Sequence, residues 1–193
     1  MRLAASLAVF VLAVSPSVAG SSLHHTLTVK QHVVRGATAA EVYRALLHDP
    51  IMDADSGRSF ANLTHEHEID IVTTMSGGQC RVTDLEFQWD FVMTLPAARD
   101  EAQLSSATRK TWRSFIARLR THELNHRDIF LDCGRTLMPK ASALTASSCS
   151  KLERDVRRYL EMQYDACMVR QRAFDADDTP GILAHPFIRL AKQ

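Results

Sequence analysis

The chain has 193 residues, of which 46% are hydrophobic and 23% charged, and a formal net charge of +1. That is enough chain to bury one core. The near-neutral balance lacks the clustered basic surface that a nucleic-acid partner needs, so no nucleic acid is expected. The local excess of Arg109, Lys110, Arg113, Arg118 and Arg120 falls on one predicted helix and reads as a solvated face.

Arg2, the apolar run from Leu3 to Val14, and the small residues ending at Ala19 have the form of a signal peptide over residues 1–19. Residues 20–193 are then expected as a single domain. The run is short for a bilayer span of about 20 apolar residues. No other segment is long enough, so the mature chain is expected to be secreted or periplasmic, without stable membrane insertion.

Residues 26–34 read as a strand from their β-branched content. Thr38 and Glu41 form a capping box that starts a short helix ending near Leu47. A polar loop follows over 49–59, then a strand over 63–74 and a turn at Gly77-Gly78. Leu85, Phe87, Trp89, Phe91, Met93 and Leu95 alternate with mostly polar residues, so one face of that strand is buried. Such a strand should pair antiparallel and pack on helices. Ser105 or Ser106 caps a long helix to about Leu137, closed by Pro139. A second long helix covers about 148–174, and an acidic tail begins at Asp175.

Cys80, Cys133, Cys149 and Cys167 include no C-x-x-C pair. In an exported chain an even number favours disulfides. Cys149 and Cys167 share a predicted helix and would stand about 27 Å apart, which disfavours joining them.

His122-Glu123-Leu124-Asn125-His126 is the chemical centre of the sequence. Histidines at i and i+4 share one helix face, so two imidazoles can bind one zinc ion. Glu123 lies beside them, where a carboxylate can act as general base. Both histidines continue the apolar stripe of Trp112, Phe115 and Leu119, so they point inward. The competing reading is a pair of buried core histidines.

A catalytic zinc needs a third protein ligand. Asp132 lies too far along a continuing helix, about 9 Å of rise beyond His126. A simple antiparallel hairpin brings Glu161 and Asp165 nearest the motif, and Asp175 is the other candidate. His65 and His67 share a strand face and could bind metal, but such a pair is more often an exposed polar face. Asn62-Leu63-Thr64 is a formal glycosylation acceptor.

With these residues in view, the chain resembles the DUF922 family, bacterial exported proteins described as predicted secreted zinc-dependent proteases. The resemblance runs through Val34 to Val42, Gly78-Gln79-Cys80, Leu95-Pro96, Trp112 to Phe115, His122 to Asp128, Cys149 and Phe174-Asp175. It implies Zn²⁺ on His122 and His126, Glu123 as the catalytic residue, and Asp175 as third ligand or as a group supporting a ligand. Many members continue from the aromatic-Asp pair to a Thr and a His-Gly; here Asp175 is followed by no such His. The resemblance also implies a Cys80–Cys149 disulfide. Cys133 and Cys167 remain, and the simple hairpin separates them.

The expected fold is α+β: a small antiparallel sheet and a short helix packed against a long helical hairpin that carries the motif. The expected function is an exported zinc-dependent hydrolase acting on a peptide or protein substrate, a metalloprotease. The alternative is a non-catalytic or degenerate envelope protein whose H-E-x-x-H site is structural or empty.

Overall fold

The computed structural model describes residues 20–53 and 57–193, so the expected leader lies outside the described residues. The arrangement is α+β, as expected, with β1 (Gly20–Val34), α1 (Ala39–His48), β2 (Ile51–Asp53), β3 (Gly57–Ser59), β4 (Asn62–Ser76) and β5 (Gln79–Ala98) in the first half. A short 3-10 turn leads to α2 (Ser106–Ser142), β6 (Thr145–Ala146), α3 (Cys149–Leu183) and α4 (Pro186–Ala191).

β5 is the centre of the main sheet. β4 pairs with it antiparallel through a turn at Gly77 and Gly78, whose φ values of 61° and 80° suit glycine and the twist of a hairpin. On its other side lies β1, and here the sheet differs from the expected antiparallel one: β1 runs parallel to β5. A parallel neighbour needs a long crossover, and α1, the β2–β3 hairpin and β4 together supply it. β6 adds two antiparallel residues, Thr145 and Ala146, opposite Arg81 and Cys80.

The alternation in β5 becomes burial. Leu85, Phe87, Trp89, Phe91, Met93 and Leu95 are each at most 7% exposed and face the helices. Near the start of the strand the register shifts between Val72 and Thr73, whose partners are Asp84 and Val82. This bulge at Thr83 keeps Cys80 and Val82 on the same buried face as Leu85. Beneath that face the core divides in two. One cluster joins Val42, Leu46, Met93, Trp112, Phe115, Leu119 and Phe187. The other joins Leu85, Trp89, Phe130, Met138, Leu152, Val156 and Leu160. Along α2 the seam between them falls at residues 122–126.

Both long helices run past the ends read in the sequence. α2 continues through Pro139 to Ser142, and α3 continues through Thr179-Pro180-Gly181 to Leu183. A helical proline forfeits the hydrogen bond to the residue four before it. Those residues, Arg135 and Ala176, are both exposed, where water can satisfy the freed carbonyl.

The disulfides are Cys80–Cys149 and Cys133–Cys167. The second overturns the expected separation of Cys133 from Cys167, whose Cα atoms lie 6.2 Å apart. In a tight hairpin the two would be offset by nine residues, about 13 Å of helix. Residues 143–148 absorb that offset, because Thr145 and Ala146 run on as a strand paired with β5 before the chain turns back into α3. No helix among the described residues is long and apolar enough to cross a membrane.

Candidate metal centre

His122 and His126 lie one turn apart on α2, and Asp175 reaches them from α3. His126 Nε2 stands 3.1 Å from His122 Nε2 and 2.9 Å from Asp175 Oδ1. His122 Nε2 stands 3.2 Å from the same Oδ1. Ligand atoms about 2.0–2.1 Å from a tetrahedral ion are about 3.3 Å apart, so these three atoms have the spacing of one face of such a site. Among the described residues this trio is the grouping of His, Cys, Asp and Glu side chains close enough to share an ion.

The tautomers are set by a layer of residues behind the trio. His122 Nδ1 is 2.7 Å from Asp178 Oδ2, and His126 Nδ1 is 2.7 Å from Gln171 Oε1. Both oxygens are acceptors, so each Nδ1 carries and donates the proton. Gln171 is 3% exposed and also donates from Nε2 to the carbonyl of His126. Arg118 Nη2, 2.5 Å from Asp178 Oδ1, anchors that carboxylate. Phe174 lies against both imidazoles, its ring centre 4.9 Å from each. With both Nδ1 atoms donating, His122 Nε2, His126 Nε2 and Asp175 Oδ1 are three acceptors facing one point. A cation or shared protons are needed to satisfy them, and the donor set of two imidazoles and a carboxylate suits zinc.

The electrostatics of the protein groups themselves favour shared protons. Burial disfavours charge on both histidines, yet contacts with Asp175, Asp178 and Gln171 outweigh it and raise both pKa values. Burial acts to raise Asp175, but its contacts with the two imidazoles prevail and hold it well below the usual carboxylate range. Glu123 is 4% exposed, and burial pushes it up to about 7.

Glu123 lies where two cavities meet. One, about 100 Å³, has polar walls that include Asp53, Asn62, His65, Gln171 and Arg172. The other, about 360 Å³, lies under α1 and the end of α3. His122, Glu123 and Asp175 line both, so the trio is reached from open space rather than sealed in protein.

Other candidates fall elsewhere. Glu161 and Asp165 are exposed beside His67, Ile69 and Arg158, in a separate groove on α3. The offset absorbed by residues 143–148 is the reason, since it brings Asp175 rather than Glu161 opposite the motif. Asp132 pairs with Arg170, 2.7 Å away. His65 and His67 face the helices but join no metal grouping among the described residues. His65 packs on Trp89 and Phe130 and meets the Tyr164 hydroxyl at 3.1 Å, while His67 stacks on Phe87 at the exposed edge. Asp178 and Gln171 carry no reading from the sequence, and Arg118, expected on a solvated face, is instead partly buried against Asp178. Gln171, Asp175 and Asp178 have the spacing of one helix face, but the sequence reads as helix only to about residue 174, with a tail from Asp175.

The profile of a family described as "Bacterial protein of unknown function (DUF922)" matches residues 29–181. No curated protein and no solved structure matches the chain.

Proposed function

Because the chain belongs to the DUF922 family, whose description leaves function open, we propose from the site itself that it is an exported zinc-dependent hydrolase, a metallopeptidase. The observation that carries this is the triangle of His122 Nε2, His126 Nε2 and Asp175 Oδ1 beside the buried carboxyl of Glu123. His122, His126 and Asp175 would hold the ion. Bound there, Zn²⁺ supplies a Lewis acid for a carbonyl oxygen and a water acidified to near neutrality.

The remaining steps belong to the chain. Glu123, raised to about 7, can take a proton from the attacking water and return it to the leaving nitrogen near neutral pH. Asp178 and Gln171 keep both imidazoles in the tautomer that presents Nε2. Three protein ligands and an open approach favour catalysis over a closed structural site. Two disulfides fit an oxidising compartment, which supports export.

The test is metal analysis of the purified protein beside Glu123→Gln. Stoichiometric zinc in both, with peptide hydrolysis lost by about 10²–10⁴-fold in the variant, is expected. Wild-type protein that takes up no zinc when it is supplied overturns the reading.

A further inference from the structure

The larger cavity at Glu123 differs from the smaller one in chemistry. Its floor is Leu46 from α1, Leu119 from α2 and Ile182 from α3, each at most 6% exposed. Its mouth is flanked by Leu47 and Leu183, which are 46% and 51% exposed. Single exposed leucines are ordinary on a protein surface. Here two of them, from separate helices, flank one opening whose inner end is His122, Glu123 and Asp175. The volume, about 360 Å³, lies at the small end of sites that hold organic ligands. The apolar floor is therefore continuous with the reacting centre.

We propose that this cavity receives a large apolar side chain, such as leucine, phenylalanine or methionine, from a residue adjoining the bond presented to Glu123. The assignment rests on the peptidase reading and names its substrate class. Burying such a side chain against Leu46, Leu119 and Ile182 removes apolar surface on both sides from water. A charged side chain in the same place loses hydration against that floor, a cost that Arg58, exposed at the wall, offsets only in part for an acidic one. The polar cavity on the other side of Glu123 takes the next part of the substrate, where Asn62 and Arg172 line the wall.

The test reads binding rather than turnover. Full-length Glu123→Gln protein, supplied with zinc, is titrated by fluorescence anisotropy with short peptide pools randomised at every position but one. That position is fixed as Leu, Phe, Asp or Lys. The Leu and Phe pools are expected to bind at least about tenfold more tightly than the Asp and Lys pools. Leu47→Lys with Leu183→Lys should abolish the preference while zinc content and the unfolding midpoint hold. If the double variant folds poorly, Leu183→Ser alone should narrow the preference. Equal binding of all pools, no binding of any, or a preference that survives the leucine substitutions overturns the assignment. Zinc content and wild-type hydrolysis are measured in parallel. Hydrolysis without an apolar preference sinks this assignment alone, whereas an apolar preference without zinc or hydrolysis sinks the peptidase reading alone.

Discussion

The two ends of the α2–α3 pair are held by different physics. Near the connection, Phe130 and Met138 of α2 share a core with Leu152, Val156 and Leu160 of α3, and Cys133–Cys167 ties the helices covalently. At the other end the same helices meet through His122, His126, Gln171, Asp175, Asp178 and Arg118. Apolar surfaces tolerate small relative shifts. Three donor atoms converging within 3.2 Å do not. Cys133 lies seven residues beyond His126, and Cys167 eight residues before Asp175. The disulfide thus fixes the sliding of one helix along the other about two turns from the site. The disulfide holds the register, and the polar end uses it.

The sharpest way to break this contrast is to remove the covalent tie. Replacing Cys133 and Cys167 together by serine should cost about 2–4 kcal/mol in urea unfolding and should also weaken zinc binding. Replacing Cys80 and Cys149 should cost a similar amount yet leave zinc affinity nearly unchanged, because that bond joins β5 to the far end of α3. Equal losses of zinc affinity in both variants would show that the register does not depend on Cys133–Cys167.

Asp178→Ala probes the polar end alone. It frees His122 Nδ1 without touching a ligand atom, and a 10–100-fold loss of zinc affinity is expected by chelator competition. Unchanged affinity would make Asp178 a partner of Arg118 only.

The polar end also predicts a pH signature. Burial raises Glu123 from 4.5 to about 7. Despite burial, the contacts of His122 and His126 raise both above 6.5. A group raised in the folded state stabilises the fold below its unfolded pKa, and that contribution is lost as pH rises through the folded value. Chelated protein should therefore lose thermal stability as pH rises, from 4.5 upward for Glu123 and from 6.5 upward for the histidines. Asp175 and Asp178 are lowered and act only below 3.8. Zinc requires neutral imidazoles, so zinc-supplied protein should gain stability over the histidine range. Parallel slopes with and without zinc would argue that no ion binds this trio.

The smallest effect is expected outside both regions. Glu161→Ala and Asp165→Ala should each change stability by less than about 0.5 kcal/mol and leave zinc content intact. A loss of zinc in either would return that residue to the site.

Most of the local structure was legible because it depends on neighbours in the chain. Thr38 caps α1 as read, its Oγ1 accepting from the Glu41 amide at 3.2 Å, while the Glu41 carboxylate reaches one residue beyond the cap and accepts from Ala37 N. The alternation of β5 did predict its buried face. The missed features share one origin. Pro139 reads as a stop, although its cost is small where the freed carbonyl lies on an exposed residue, and the acidic run from Asp175 reads as a tail. Ending α3 at Phe174 hid the face formed by Gln171, Asp175 and Asp178. A simple hairpin between a helix ending near Leu137 and one starting near residue 148 misplaces the register, and with it both Glu161 and the Cys133–Cys167 pair.

By itself, the sequence determined the two histidines, the glutamate between them and the inward face they share, because those follow from helical periodicity within a few residues. The tertiary structure decided which carboxylate completes the trio, which cysteines pair and what space opens on Glu123. Those depend on how far α3 is displaced along α2. That displacement goes with the pairing of Thr145 and Ala146 with β5, some 60 residues earlier in the chain, and with the Cys133–Cys167 bond between the helices. No local pattern in either helix encodes it.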